Sequence, residues 1–444
     1  MLYLRLDNIY MVYNMDLKSL LRYEVIERSE EGYDIDINYF NDKIDDALDK
    51  SDLMKIYDEI CKLSFRRDYP YREPNNLSEI SSLSQKYFEV YEKISEEVFR
   101  DKMLGGFLGR CAGCMLGKPV EGWSHREIIN RLIKIGEYPL RNYFPEKFFT
   151  EEEIKDRIGL TRNTIKYVER DDDIDYTLLN LHIFYKYGSG FKTSDIGKEW
   201  LLNLPYYKTY TAERMAYRNL VNGLSPPDTA IYLNPFREWI GAQIRADTWG
   251  YVCPGNPRLA SEYAYRDAVL SHTKNGVYGE MMVSAMISTA FIENDVEKIV
   301  LSGLSYIPKT SRLGNAIRDI LEKYRRKEEY FTVISSLLGK YRYHPVHTIN
   351  NAIIVVSSIL WSEGDFSKAI CLAVMSGLDT DCNGATVGSI IGVLNGYNMI
   401  KEREKWFKPL NNMIKSSLTE FNRIKISDII DLYLKLYKRH FKTF

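Results

Sequence analysis

The sequence predicts an all-α fold, and three observations predict it. From about residue 85 onward, apolar residues recur at the three-to-four-residue spacing of helices almost everywhere. Strand-like alternation is scarce, and no series of strand–helix units with glycine-rich turns is present, which excludes Rossmann and P-loop fingerprints. Two apolar runs, "MLGGFLGRCAGCMLGKPVEGW" (103–123) and "NGATVGSIIGVLNG" (383–396), carry glycines four residues apart. The expected organisation is one large helical domain over 96–444 preceded by an extension over 1–95.

Composition narrows the function. The chain has 444 residues, 60 basic against 61 acidic, so no global charge argues for nucleic acid or an anionic membrane surface. Six cysteines in so long a chain are no disulfide framework. The opening "MLYLRLDNIYMVYNMD" lacks the basic region and apolar run of a secretory signal. The longest apolar stretch, "AIIVVSSILW", falls well short of the ~20 residues that span a bilayer. A soluble, cytoplasmic protein is the expectation.

Taken in order, residues 1 to about 95 are polar and tyrosine-rich, with a "YPYREPNN" turn cluster at 69–76 and no chemical motif. Tyr87, Tyr91, Ile94 and Val98 then make a helical stripe. In 103–123, Gly105, Gly109, Gly113 and Gly117 fall on one helical face. Each interior glycine costs about 0.5–1 kcal/mol against alanine, so close backbone approach, helix to helix or helix to ligand, is the expected compensation. Cys111 and Cys114 have zinc spacing, but no second Cys pair or His pair accompanies them, and core packing is the better reading. Leu313, Ile317, Ile320 and Tyr324 make a further stripe. "NNAIIVVSSILWSEGDFSKAICLAVMSG" reads as two buried helices joined by a Gly-Asp turn. His344 and His347, in "YRYHPVHTINNA", precede a helix with Asn350 and Asn351 and suit capping or a cleft.

Two acidic clusters carry the chemistry. In "VERDDDIDYTLLNLHIF" (168–184), Asp171, Asp172 and Asp173 stand immediately before an apolar helical run. In "SGLDTDCNGATVGSI" (376–390), Asp379 and Asp381 flank one threonine. Either cluster can be N-capping and dipole compensation. One cap suffices per helix, however, and adjacent carboxylates repel. If the two helix mouths converge, they make an all-oxygen site for hard cations such as Mg²⁺ or Mn²⁺. Asp379 and Asp381 are too close in sequence to share a face of a regular helix, so the segment should enter its helix through a turn.

The ordered set of motifs resembles the ADP-ribosylglycohydrolase family over about residues 100–400. "GGFLGRCAGCMLGKPVEGW" resembles the family's opening helix and Pro-Val-Glu loop, and "RDDDIDYTLL" its Thr-Asp-Asp motif. "AVLSHTKNGVYGEMMVSAM" resembles its Thr-His segment, and "GLDTDCNGATVGSIIGVLNG" its Gly-Asp-Thr-Asp-Thr motif. The resemblance implies an all-α fold with two Mg²⁺ ions at the base of a cleft, Mn²⁺ being an alternative. It implies hydrolysis of a glycosidic bond at the ribose of an ADP-ribosylated protein or small molecule. Carried over by position, the metal ligands are Asp171, Asp172, Asp173, Asp379, Asp381 and Cys382, and Glu121 is the general acid/base. Gly241 and Arg245, in "WIGAQIRADTWGYVCPG", and His272 hold places matching substrate contacts. Departures are Asp171 and Cys382 where the family has threonines, and Cys114 where it has an aspartate. A poor thiol ligand at Cys382 leaves either a water in that position or a preference for Mn²⁺. A binding protein that has lost turnover, or a structural member, is the alternative to an enzyme; retention of all five carboxylates Glu121, Asp172, Asp173, Asp379 and Asp381 argues against a structural role.

Overall fold

The two glycine-spaced runs form the pair of helices on which the site is mounted, Glu96–Gly117 and Thr380–Asn395. The structure is a computed structural model and describes residues 15–88 and 91–441. The pair packs antiparallel with backbone against backbone. A Cβ added to Gly113 would lie 1.9 Å from the carbonyl oxygen of Gly384, and one on Gly109 would lie 2.1 Å from that of Gly388. Reciprocally, a Cβ on Gly388 would lie 2.1 Å from the Gly109 carbonyl, and one on Gly392 would lie 2.3 Å from that of Gly105. Of the two compensations open to the glycines, helix-to-helix approach is the one used. At the far end Gly117 abuts Thr380, whose hydroxyl donates to the Gly117 carbonyl at 2.8 Å.

Around this pair the described residues are mostly helical. The helix Lys274–Ala290 is buried along its whole length, as a helix apolar on every side must be. Leu313, Ile317 and Ile320 point inward from Arg312–Arg325 as their spacing predicts. Thr348–Ser362 and Phe366–Met375 are the expected buried pair, joined by Glu363 and Gly364 at positive φ, with Asp365 capping the second helix. His347 caps the first, its Nδ1 accepting from the Ile349 N–H at 3.1 Å. No helix among the described residues is long and apolar enough to cross a membrane.

One expected helix is not there. The Tyr87–Val98 stripe does not form a single helix, because the Ser95 hydroxyl accepts from the Val98 N–H and starts the helix at Glu96. Tyr91 is exposed, while Tyr87 and Ile94, neither of them in a helix, rest on the core. A side-chain cap followed by two glutamates in the first turn outweighs the apolar periodicity.

The described residues before 95 form four helices, Leu17–Glu30, Ile37–Asp46, Lys50–Cys61 and Leu77–Leu83. The first three share a small core of Leu21, Val25, Phe40, Ile44, Leu53, Ile56, Tyr57 and Ile60. Buried charge joins this unit to the rest: Arg237 pairs with Glu24 at 2.7 Å and Glu31 at 2.8 Å. Arg312 pairs with Glu73 at 2.7 Å and with Glu238 at 2.5 Å.

Two short strands, Met413–Lys415 and Arg423–Lys425, form the one hairpin among the described residues. Val168 bonds both ways with the first strand, to Met413 O and from Lys415 N, each at 2.9 Å. The strand therefore fixes the approach to the first acidic cluster.

Candidate metal centre

The helix Asp172–Tyr187 begins where Asp171 takes extended backbone and its Oδ1 accepts from the Asp173 N–H at 3.0 Å. The other Asp171 oxygen is ion-paired with Lys118, the residue that follows the first glycine helix. Asp175, one turn on, is tied to Ser416 Oγ at 2.6 Å, to Ser417 N at 3.0 Å and to Arg170 Nε at 2.8 Å. Arg110, fully buried on the glycine helix, donates to the Asp173 carbonyl at 2.7 Å and to Asp173 Oδ1 at 3.1 Å. Its Nη1 meets Asp247 Oδ2 at 2.6 Å. These bonds leave Asp173 Oδ2 buried and without a hydrogen-bond partner.

The second cluster enters its helix through a turn, as the spacing predicts. Gly377 (φ 75°) and Leu378 (φ 64°) turn the chain, and Asp379 (φ −85°, ψ 77°) precedes the first helical residue without its side chain accepting a capping hydrogen bond. Backbone bonds clasp this turn to the Glu121 loop, Gly122 N to Leu378 O at 2.8 Å and Leu378 N to Trp123 O at 3.0 Å. Asp379 Oδ1 and Asp381 Oδ1 are buried and unpartnered.

The clusters converge. One ligand atom each from Glu121, Asp379 and Asp381 lie within 4.8 Å of one another, as do one each from Asp173, Asp381 and Cys382, and one each from Cys114, Asp171 and Asp173. Asp381 and Asp173 thus link three overlapping sets. Asp172 belongs to none of them; burial and the charges of Asp171 and Asp381 nonetheless push its carboxyl up to about 7.

Electrostatics describe a site short of positive charge. Burial and the Asp381 carboxylate push Asp379 well above the usual carboxylate range, and burial with Asp171 raises Asp381 to about 6. Asp381 foremost, then burial, raises Glu121, whose side chain otherwise reaches solvent at the rim. Burial carries Asp173 far up despite Arg110. Asp171 alone goes the other way, since Lys118 overcomes the cost of burial. Three buried oxygens without partners, set among repelling carboxylates, fit a hard divalent cation. Burial raises the Cys382 thiol well above its ordinary value, and so do the nearby carboxylates, which leaves a protonated sulfur at the edge of an oxygen site.

The residues expected to touch substrate gather elsewhere. A Cβ on Gly241 would lie 2.1 Å from Glu213 Oε1, so the loop leans on that carboxylate. Arg245 has no exposed surface; it pairs with Glu213 at 2.7 Å and Asp267 at 3.3 Å, and donates to Ser271 Oγ at 3.0 Å. Ser271 Oγ in turn bonds His272 Nδ1 at 2.8 Å, while His272 Nε2 is buried without a partner. Burial pulls His272 well below the usual histidine range, and it is neutral. Glu213, Arg245, Ser271 and His272 therefore form one internal chain of bonds, and Arg245 supports the loop from behind.

Sequence reasoning missed Arg110 and Lys118. Both lie on the face of the glycine run that also carries Cys114, and a charge inside so apolar a run signals a buried partner.

The model of the ADP-ribosylglycohydrolase family matches residues 95–440. The chain belongs to that family. Its match begins at the residue that caps the glycine helix and leaves the preceding helices outside it. A solved structure, described as an ADP-ribosylglycohydrolase-related protein complex, is 18% identical over 77% of this chain and 99% of its own, with a TM-score of 0.47. No curated protein matches the chain. Family membership supports a glycohydrolase-type activity on ADP-ribosylated substrates, and the acidic clusters could hold the metal on which the family generally depends.

Proposed function

We propose that the protein is a divalent-metal-dependent hydrolase that cleaves the glycosidic bond between ADP-ribose, or a related ribosyl group, and a protein side chain or small molecule. The observation that supports this most is the meeting of Asp173, from one helix mouth, with Asp381, from another, where Asp381 also meets Asp379 and each of the three keeps a buried oxygen that no other group satisfies. Capping alone accounts for Asp171 and leaves those oxygens unexplained. A purely structural member would have no need to retain them.

Glu121, Asp379, Asp381 and Asp173 would hold the ion. When bound, it would supply Lewis-acid charge to the ribose hydroxyls and to an attacking water. Glu121 would move protons, a role supported by its exposure at the rim and by the charge of Asp381, which holds its proton affinity up. Arg110 fixes Asp173 in place, and the Gly122–Leu378 clasp holds Glu121 against Asp379. Mg²⁺ is the expected ion, with Mn²⁺ the alternative.

The test is release of ADP-ribose from a panel of ADP-ribosylated arginine, serine and small-molecule conjugates, with Mg²⁺ or Mn²⁺ present and after chelation. Metal-dependent release from at least one conjugate is expected. Metal binding with no release from any conjugate would turn the reading to a binding protein, and release undiminished by chelation would remove the metal from it.

A further inference from the structure

The acidic centre has two unlike halves. On one side, Asp379 Oδ1, Asp381 Oδ1 and Asp173 Oδ2 are buried and unsatisfied. On the other, both oxygens of Asp171 are already taken, one by the Asp173 N–H and one by the Lys118 ammonium. The lysine is no surface residue that happens to reach in. It follows the last residue of a helix that has no freedom to shift, because Gly117 abuts Thr380 and Gly113 abuts Gly384 through backbone atoms. The helix C-terminus also favours a cation at that position. Beyond Asp171, the carboxylates whose charge acts on Lys118 are Asp381 and Glu121, which belong to the open half. The chain at its base meets the second helix mouth, where a Cβ on Gly117 would lie 2.1 Å from the Thr380 carbonyl oxygen and 2.4 Å from Asp381 N, while its ammonium pairs with Asp171 at the first.

We infer that Lys118 is a built-in cation filling one of the two expected ion positions, so that this protein takes a single divalent ion, on the Glu121, Asp379 and Asp381 side. This rests on the metal-dependent reading above. It gives the departure at position 171 a cause, because an aspartate in place of a threonine there adds the negative charge that Lys118 balances. A neutral hydroxyl could bind an ion there but could not neutralise an ammonium.

The test counts ions. Manganese is titrated calorimetrically into the full chain, and the loaded protein is examined by electron paramagnetic resonance, which separates an isolated Mn²⁺ from a coupled pair. Wild type should bind one Mn²⁺ per chain with the spectrum of an isolated ion. Lys118→Met, which frees an Asp171 oxygen, should bind two with a coupled spectrum. Lys118→Gln, which keeps a polar partner for Asp171, serves if the methionine variant does not fold, and should also gain the second ion. Two ions in wild type would overturn the inference and leave the metal-dependent reading intact. A single ion in wild type and in the folded variants would overturn the part given to Lys118. No binding by wild type would sink the metal-dependent reading and the inference with it.

Discussion

Gly113→Ala should destabilise the protein and loosen the metal centre together. The new Cβ would lie 1.9 Å from the Gly384 carbonyl oxygen, 2.4 Å from its carbon and 2.9 Å from Ala385 N, all backbone atoms of the facing helix. No rotamer change relieves contacts with backbone, so the helices Glu96–Gly117 and Thr380–Asn395 must separate by roughly 1.5 Å to restore van der Waals distance. Overpacking of this kind costs about 1–3 kcal/mol. Replacing a helical glycine by alanine returns about 0.5–1 kcal/mol, and because backbone contacts put the cost at the top of its range, the net loss should be roughly 2–2.5 kcal/mol. Gly339→Ala is the internal control, since it too lies in a helix, Tyr330–Lys340, and a Cβ there meets nothing within 4 Å. That variant should be stabilised by about 0.4–1 kcal/mol. Urea unfolding at unchanged slope measures both. Because Thr380 at the end of the seam is bonded to Gly117 and adjoins Asp381, Gly113→Ala should also weaken Mn²⁺ binding while Gly339→Ala should not. If Gly113→Ala is as stable as wild type, or shifts the midpoint in the same direction as Gly339→Ala, the close packing is not what those glycines are for.

Asp381→Asn removes a charge from the carboxylate shared by two ligand sets, and Mn²⁺ affinity by calorimetry should fall by at least the roughly 10–100-fold that losing a group behind a ligand costs. Glu121→Gln should instead cut turnover by about 10²–10⁴-fold with a smaller loss of metal affinity, and unchanged turnover would rule out its proton role. Arg237→Met removes the cation shared by Glu24 and Glu31, each 2% exposed, and leaves them only Arg28 at 2.8 Å and Lys274 at 3.2 Å, so chemical denaturation should show a loss approaching but below the about 3–5 kcal/mol of a stranded buried charge, and limited proteolysis should release the N-terminal helices; a loss below about 1 kcal/mol would show that Arg237 does not hold them. Burial, with a small push from His347, lowers His344 from 6.5 to about 4. The unfolded chain therefore takes up a proton that the folded chain refuses, and the stability this histidine contributes is full above pH 6.5 and lost progressively towards pH 4. His344→Phe, which keeps the stack on Trp239 (ring centroids 4.1 Å apart), should flatten that part of the stability–pH curve; an unchanged curve would refute the assignment.

How much of this was legible in the sequence depends on how local the cause was. The helices of 312–325 and 348–375 could be read from spacing because burial of one face repeats within a few residues. The cap at Ser95 was equally local, but apolar periodicity spoke louder across Tyr87–Val98 and misplaced the helix start. The glycine seam was half legible: spacing of four showed that something must approach each run, and only the fold shows that each run approaches the other. The hairpin that ties Asp175 through Ser416 and Ser417 was invisible, since three-residue strands leave no pattern to read. The helices before residue 95 gave no chemical motif because their polar residues act across the fold, Glu24 and Glu31 on Arg237 and Glu73 on Arg312.

The glycines and the acidic cluster are parts of one device. Like charges gathered out of water push apart, and a flexible cluster would relieve the repulsion by separating. Here Asp379 and Asp381 ride on the N-terminus of one glycine helix, and Lys118 and Glu121 follow the C-terminus of the other. Helices in backbone contact cannot slide or part without breaking the seam, so the carboxylates are held at ligand distance whether or not a cation is present. The helix dipole lowers the cost at Asp379 and Asp381, and Arg110 and Lys118 lower it at Asp173 and Asp171. What those partners leave unsatisfied, the three orphan oxygens, is the repulsion that a bound ion would relieve. Loading with Mn²⁺ should therefore raise the unfolding midpoint of wild type, and Asp381→Asn should abolish most of that rise while leaving the metal-free protein no less stable, because the substitution removes repulsion. If the metal-free variant is instead markedly less stable than wild type, the carboxylates serve the fold, and the account of a preorganised, charge-strained centre is wrong.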